Sequence, residues 1–358
     1  MTRVATFEVH YTRFIDQDGR PTQTLPAFAA DRAAMVSSYR AMVLTRTFDA
    51  KAITLQRTGR LGTYASSLGQ EAIAVGVGMA MTPADVLLPY AREHGTQLLR
   101  GVTLKELFLF WGGDERGNDF TTPREDFPVT VPIATHVPHA AGVALAFKLR
   151  GEPRVAVCVC GDGATSKGDF YEGLNLAGVW RVPAVFIVSN NAWAISVPRE
   201  AQTAAETLAQ KGIAVGMSCE QVDGNDVVVV RAATEAALTR ARAGKGPHLI
   251  EAITYRLADH TTSDDASRYR DDELVGAQWQ NDPIKRVKAY LVDRCGWSKQ
   301  EEEALIATCS AEVEAAAEAY LATPPQPVEA IFDFMYDVLP ADLVAQRDAL
   351  LADVSRRG

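Results

Sequence analysis

The hydrophobic residues of this chain fall into two patterns. Short apolar runs bounded by Gly, Pro or charged residues predict buried strands, and longer stretches with apolar residues three or four positions apart predict helices. Strands that alternate with helices are typical of a doubly wound α/β fold with a parallel sheet. Strands are predicted at 85–89, 155–160, 184–189 and 249–255, and helices at 31–58, 68–81, 104–111, 139–149, 170–180, 202–211 and 231–243.

The two ends of the chain differ in pattern from its centre. Residues 1–30 contain two prolines and little periodicity, which predicts an extended N-terminal arm. Residues 31–282 are expected to form one α/β domain, because no linker rich in Pro, Gly or Ser divides them. Residues 283–358 are predicted to be a helical C-terminal extension, in which Ser298 and Glu301 form a capping box at the start of a helix.

The central strand–helix–strand unit carries the most informative motif. One apolar strand runs into the turn Gly161-Asp162-Gly163, and the next strand ends at Asn190-Asn191. The carboxyl ends of both strands in such a unit meet at one edge of the sheet, so Asp162 and Asn191 are expected to lie close together. Their oxygen atoms suit Mg²⁺, while the glycines and the following helix N-terminus suit a phosphate. The sequence therefore predicts a magnesium–diphosphate site.

Composition narrows the classes of protein that fit. The chain has 358 residues, 47% of them hydrophobic, and a net charge of −9, which disfavours a nucleic-acid partner. No apolar run reaches the length of a membrane span, and the N-terminus lacks the basic and apolar regions of a secretory signal. Five cysteines without a C-x-x-C pair indicate neither a disulfide framework nor a zinc site. A protein of the reducing cytoplasm is expected.

Several motifs in the right order resemble those of one enzyme family. The Gly-Asp-Gly turn, the unit that follows it and the paired asparagines are similar to the thiamine diphosphate motif. More narrowly, nearly the whole chain resembles the alpha subunit of the decarboxylating component of 2-oxo acid dehydrogenase complexes. The resemblance implies the thiamine diphosphate-binding fold. The blocks that carry it are Arg60–Tyr64, Gly69–Ala72, Gly168–Gly173, Gly244–Pro247 and Asp259–Asp265.

The resemblance assigns roles to residues of the predicted magnesium–diphosphate site. It implies that Asp162, Asn191 and the backbone carbonyl of Trp193 bind Mg²⁺. It also implies that the backbone amides of Gly163 and Ala164 bind the diphosphate of thiamine diphosphate. These residues are the predicted centre of the cofactor site.

Two other segments are implied to complete the cofactor site. Arg92 matches a diphosphate-binding arginine of the family, and its guanidinium suits phosphate oxygens. The family usually has Tyr immediately before this arginine, whereas this chain has Ala91, so Tyr90 is the tyrosine expected at the cofactor. Val131 and Ile133 match positions whose backbone groups contact the aminopyrimidine ring.

Three histidines and the neighbouring residues Thr63 and Tyr64 are further candidates for functional residues. His260 matches the active-site loop histidine of the family, which lies near the diphosphate and helps to present the acyl group to the lipoyl carrier. His260 is therefore the predicted catalytic residue. His136 and His139 are expected to be structural, and Thr63 and Tyr64 resemble residues of a substrate channel.

The resemblance implies oxidative decarboxylation of a 2-oxo acid with thiamine diphosphate, followed by transfer of the acyl group to a lipoyl carrier. Pyruvate is the predicted substrate. Branched-chain 2-oxo acids and acetoin are alternatives, because related alpha chains share these motifs, and a non-catalytic scaffold subunit is a further one. In this family a beta subunit supplies the glutamate that activates the cofactor. An α2β2 heterotetramer bound to a lipoyl acyltransferase core is therefore expected.

Two common nucleotide-binding motifs, the Rossmann loop and the P-loop, fit the Gly-Asp-Gly turn poorly. A Rossmann loop has the pattern G-x-G-x-x-G, and Gly168 comes too late after Gly161 and Gly163 to complete it. A P-loop ends in Gly-Lys followed by Ser or Thr, and this turn has no such ending. The pattern therefore favours the magnesium–diphosphate site over either motif.

Overall fold

A parallel β-sheet lies at the centre of the protein, whose computed structural model describes residues 1–357. The strands are β1 (Tyr11–Thr12), β2 (Val86–Leu88), β3 (Ala156–Gly161), β4 (Ala184–Asn190), β5 (Trp193–Ala194), β6 (Val197–Pro198), β7 (Ser218–Asp223) and β8 (His248–Ile253). The sheet has the order β1–β7–β8–β4–β3–β2 with all strands parallel, and β5 and β6 form a small antiparallel pair. The predicted α/β fold is confirmed.

Helices connect these strands and continue to the C-terminal end. They are α1 (Ala27–Ala30), α2 (Arg32–Arg57), α3 (Glu71–Ala80), α4 (His94–Arg100), α5 (Leu104–Trp111), α6 (His136–Arg150), α7 (Gly168–Trp180), α8 (Arg199–Gln202), α9 (Gln210–Ile213), α10 (Val227–Arg242), α11 (Asp272–Gln278), α12 (Pro283–Cys295), α13 (Lys299–Leu321), α14 (Ala330–Asp333) and α15 (Ala341–Arg357). Within residues 1–357, no helix is long and apolar enough to cross a membrane.

The helix predicted at 202–211 is wrong in extent. Residues 203–209 are not helical, and α8 and α9 are short helices on either side of them. The reason is a local capping interaction: Thr207 N donates to Gln210 Oε1 at 2.9 Å, and Gln210 N donates to Thr207 Oγ1 at 3.1 Å. Such a reciprocal pair starts a new helix rather than continuing an earlier one.

Side chains alternate along the strands and build a core on each face of the sheet. In β3, Ala156, Cys158 and Cys160 pack with α6 and α7, whereas Val157 and Val159 pack on the opposite face with α3 and α10. Both faces of this parallel sheet are therefore covered by helices, which explains why its central strands are apolar throughout.

The N-terminal arm is joined to the edge of the sheet. Strand β1 pairs in parallel with β7. Immediately after β1, the Asp226 carboxylate accepts hydrogen bonds from the backbone N–H of Phe14 at 2.7 Å and of Ile15 at 2.9 Å. The same carboxylate caps α10 by accepting from Val228 N at 2.9 Å. Asp226 therefore links the arm to the start of α10 through one buried side chain.

By its contacts the chain divides into two compact units, residues 1–317 and the residues from 318 onward. The first unit contains the sheet and the start of α13. There the predicted capping box is present, because Ser298 N donates to Glu301 Oε2 at 3.0 Å and Glu301 N donates to Ser298 Oγ at 3.2 Å. The second unit contains α14 and α15. The division of the chain at residues 31 and 283 stays a prediction.

We expect Asp226→Ala to destabilise the protein more than the loss of an ordinary helix cap. The substitution removes the cap of α10, worth about 1 kcal/mol, and leaves N–H groups of Phe14 and Ile15 without an acceptor, at about 1–3 kcal/mol for a buried group. Asp271→Ala is the matched control, because Asp271 caps α11 at an exposed position. Thermal unfolding should show the larger drop for Asp226→Ala, and equal drops would contradict the linking role.

Candidate functional site

Four neighbouring strands end beside a cavity of about 270 Å³. In the order of the sheet they are β8, β4, β3 and β2, and residues beyond their carboxyl ends line the cavity. Val131 is the predicted site residue that does not line it, and this residue is 74% exposed. The predicted residues that do line it are Tyr90, Arg92, Ile133, Asp162, Gly163, Ala164, Asn191, Trp193 and His260.

The register of β3 and β4 places two oxygen-bearing side chains next to each other. The strands pair in parallel with Gly161 opposite Ser189, so their carboxyl ends lie within one residue of the same level. Asp162 follows β3, and Asn191 follows β4. Both side chains are buried, and both residues line the cavity.

The Asp162 carboxylate is buried beside a neutral hydrogen-bond donor. Its side-chain hydrogen bond comes from Gln202 Nε2 at 2.9 Å. Burial raises the pKa of Asp162, and the bond from Gln202 and the charge of Arg256 oppose this rise. A cation from outside the chain would stabilise the ionised form. Together with Asn191 Oδ1 and nearby backbone carbonyls, this carboxylate offers the oxygen ligands that Mg²⁺ prefers, so these residues fit a divalent cation.

The turn after β3 exposes backbone to the cavity. Residues Asp162–Ser166 form a 3₁₀ turn, and the N–H of Gly163, near its start, has no acceptor within the turn. A Cβ atom at Gly163 would lie 2.7 Å from the Cβ of Ala194, so the close packing of this turn against β5 requires glycine. A Cβ atom at Gly161 would meet only Tyr90, at 3.8 Å. This backbone can therefore approach an anion closely.

Two guanidinium groups flank His260. Arg92 Nη2 donates to the His260 carbonyl oxygen at 2.7 Å and lies 3.2 Å from His260 Nδ1. Arg256 Nη1 lies 3.4 Å from the same nitrogen. Arginine only donates hydrogen bonds, so Nδ1 is the acceptor and Nε2 carries the imidazole proton. Burial, together with the charges of Arg92 and Arg256, lowers the pKa of His260 to about 4. His260 is therefore a neutral hydrogen-bond donor near pH 7.

The loop that carries His260 is held by a polar network that sequence reasoning missed. His260 N donates to Asp264 Oδ2 at 2.9 Å, and the Tyr269 hydroxyl donates to the same oxygen. Arg256 Nη2 donates to the Tyr269 hydroxyl and to the Ile195 carbonyl oxygen, both at 2.8 Å. Arg256 follows the carboxyl end of β8, as Asp162 follows that of β3. The strand-end rule applied to Asp162 could therefore have found it.

Thr63 and Tyr64, which the resemblance places in a substrate channel, do not line the cavity. The Tyr64 side chain is fully buried, and its hydroxyl donates to Asp49 Oδ1 at 2.8 Å. It does not line the cavity. Thr63 is exposed, and its hydroxyl lies 2.9 Å from that of Ser263 in the His260 loop. This segment therefore supports the loop.

The two histidines expected to be structural differ in environment. His136 is buried at the start of α6 and donates from Nε2 to the Val159 carbonyl oxygen at 2.8 Å. Its ring stacks with that of Tyr90, at 6.4 Å between centroids, and so supports a residue of the cavity wall. His139 is exposed.

The Glu93 carboxyl should make stability fall as pH rises. Burial raises the pKa of Glu93 to about 7, and its Oε2 has no hydrogen-bond partner in the described part of the chain. The native state thus holds a proton that the unfolded chain releases near pH 4.5. Binding of this proton stabilises the native state by up to about 3 kcal/mol. The contribution is complete below pH 4.5 and is lost as pH rises through 7. Glu93→Gln cannot ionise, so its thermal midpoint should exceed that of the wild type at pH 8.

The control for Glu93→Gln is Glu172→Gln, which changes an exposed glutamate. Thermal midpoints of all three proteins would be measured between pH 5 and pH 8.5. The wild type and the control should lose stability in parallel, and Glu93→Gln should lose less. Three parallel curves would contradict the assignment of the proton to Glu93.

Comparison with known proteins gives consistent results. A family model described as the dehydrogenase E1 component matches residues 39–329. The 3-methyl-2-oxobutanoate dehydrogenase subunit alpha of Mycobacterium tuberculosis is 42% identical over 318 residues, which cover 89% of this chain and 87% of that protein. The pyruvate dehydrogenase E1 component subunit alpha is 42% identical in Acholeplasma laidlawii, over 83% of this chain and 87% of the relative, and in Staphylococcus aureus, over 85% and 83%.

These relatives confirm the family resemblance seen in the motifs. They include alpha subunits named for pyruvate and for a branched-chain substrate, and both kinds reach the same identity. The family model covers most of the chain, including every residue that lines the cavity. This chain therefore belongs to the dehydrogenase E1 component family.

Proposed function

We propose that this chain is the alpha subunit of a thiamine diphosphate-dependent 2-oxo acid dehydrogenase. It would decarboxylate pyruvate and pass the acetyl group to a lipoyl carrier, together with a beta subunit and a lipoyl acyltransferase core. One observation carries the proposal. Four adjacent strands deliver an acid, an amide, an arginine and a histidine into one cavity, with a glycine turn beside them.

The chain's own residues divide into a cation side and an anion side. Asp162, Asn191 and the Trp193 carbonyl would hold Mg²⁺, because they combine a buried carboxylate with neutral oxygen ligands. The backbone of Gly163 and Ala164 would bind the diphosphate. The cofactor, when bound, supplies the carbon centre at which a 2-oxo acid loses CO₂.

Arg92 and His260 would act on the anionic side of the site. Arg92 is buried and lines the cavity, so its charge is weakly screened and suits phosphate oxygens. His260 is neutral, with its proton on Nε2, so it can donate a hydrogen bond to an anion without adding positive charge. Tyr90 and Ile133 would form the wall beside the cofactor, and Val131 would contact it through its backbone.

A beta subunit is proposed because the cavity is incomplete in two respects. Of the described residues that line it, Asp162 is the single acid, so no glutamate is present to activate an aminopyrimidine. Ile133 and Ile195 also line the cavity and are 40% and 56% exposed. Apolar side chains at the edge of a site fit the contact surface of a second chain. We place the assembly in the cytoplasm, which the five free cysteines support.

The substrate is proposed to be pyruvate, by similarity to the pyruvate dehydrogenase chains from Acholeplasma and Staphylococcus. A branched-chain 2-oxo acid is the second candidate, because the Mycobacterium relative named for 3-methyl-2-oxobutanoate is equally identical. The test is dye reduction by the complex purified through this chain, with thiamine diphosphate and Mg²⁺. A higher kcat/KM for pyruvate than for 3-methyl-2-oxobutanoate is expected, and the reverse order would reassign the substrate.

Asp162→Asn should abolish cofactor-dependent turnover. Removal of a group that hydrogen-bonds to a metal ligand lowers metal affinity or activity roughly 10- to 100-fold, and loss of the buried charge of a ligand should lower them further. Asp169→Asn is the control, because Asp169 lies in the first turn of α7, close by in sequence, and does not line the cavity. Dye reduction and thiamine diphosphate binding would be measured at increasing Mg²⁺. Wild-type binding by Asp162→Asn at low Mg²⁺ would contradict the proposed metal site.

A further inference from the structure

The orientation of the Asn191 side chain is set from two sides. Its Oδ1 accepts from Trp193 N at 3.3 Å, and a backbone N–H can only donate, so this atom must be the oxygen. The Nδ2 group therefore points away from Trp193. It donates to Gln70 Oε1 at 3.1 Å. Gln70 thus holds the end of the Asn191 amide that cannot bind a cation.

Gln70 is itself held firmly. Its side chain is buried, and Oε1 also lies 3.2 Å from Ser189 Oγ, near the end of β4. Its backbone N–H donates to Ser67 O at 2.9 Å. The preceding residue, Gly69, has a φ of +87°, and a Cβ atom there would lie 2.9 Å from Leu257 Cδ1. The segment can therefore shift little, and Oε1 has a fixed position.

The other end of the Gln70 amide has no hydrogen-bond partner among residues 1–357. Gln70 Nε2 is buried and forms no hydrogen bond with any described residue. A buried donor without an acceptor costs about 1–3 kcal/mol. If Gln70 only filled space, a side chain without this donor could pack there equally well. The contribution of Gln70 therefore lies in the acceptor Oε1.

We propose that Gln70 is a positioning residue for the metal site, an inference that rests on the proposed function. By accepting from Asn191 Nδ2, Gln70 keeps Asn191 Oδ1 available to Mg²⁺. Without that acceptor the amide can rotate and present its N–H₂ group, which repels a cation. Gln70 itself does not line the cavity, so it would act through Asn191.

The test is a double-substitution cycle read by metal binding instead of activity. The complex with its beta subunit is saturated with thiamine diphosphate and titrated with Mn²⁺, and free Mn²⁺ is followed by electron paramagnetic resonance. Gln70→Met removes the acceptor at similar size and should weaken Mn²⁺ binding about 10- to 100-fold. Gln70→Glu keeps an oxygen acceptor and should bind Mn²⁺ at least as tightly as the wild type.

Repeating the Gln70 substitution in the Asn191→Asp variant separates positioning of the Asn191 amide from a purely structural role of Gln70. A carboxylate has two oxygens and no N–H to be turned away, so Gln70→Met should weaken Mn²⁺ binding less than about threefold there. An equal loss in both backgrounds, or no loss in the wild-type background, would overturn the positioning role. Gln70→Ala removes the same acceptor and replaces Gln70→Met if that variant does not assemble. Failure of the unsubstituted complex to bind thiamine diphosphate with Mn²⁺ would instead reject the proposed function.

Discussion

The parallel pairing of β3 with β4 is the constraint on which the site depends. Gly161 lies opposite Ser189, and this register brings Asp162 and Asn191 to within one residue of the same level at the sheet edge. A slip of one residue would turn one strand's side chains to the opposite face. The slip is prevented by the cores on both faces, because each strand would then exchange its contacts with α6 and α7 for those with α3 and α10.

The site contains buried groups of opposite charge, and other groups of the chain neutralise them only in part. On one side the Asp162 carboxylate is buried with a neutral donor, Gln202, and burial raises its pKa. On the other side Arg92 and Arg256 are buried around a neutral His260, and Arg256 Nε has no partner among residues 1–357. A bound cation joined to a bound anion would satisfy both sides together. A magnesium diphosphate group has this charge distribution.

Much of the fold and the centre of the site could be predicted from sequence. Helix α5 has the predicted limits, and β3, β4 and α7 differ from prediction by one or two residues, because their apolar spacing is strong and their ends carry Gly, Pro or Asn. Asp162 and Asn191 could be placed together because strand polarity fixes which ends of β3 and β4 meet.

The remaining features depend on contacts between distant parts of the chain. Strand β7 has the polar sequence Ser-Cys-Glu-Gln-Val-Asp and becomes a strand only because β8 and β1 pair with it. Tyr64 is buried, and its hydroxyl donates to Asp49, which lies in α2. Gln70 reaches the site through a hydrogen bond from Asn191 that no local spacing indicates.

The most direct test of a metal–diphosphate site at the β3–β4 edge is a crystal structure of the complex with thiamine diphosphate and Mn²⁺ in place of Mg²⁺. Anomalous scattering would locate the metal without any assumption about its ligands. The metal should lie at about 2.0–2.3 Å from an Asp162 carboxylate oxygen, Asn191 Oδ1 and the Trp193 carbonyl oxygen, with the diphosphate completing its shell. A metal away from the β3–β4 edge, or a diphosphate bound without contact to Gly163, would contradict the account.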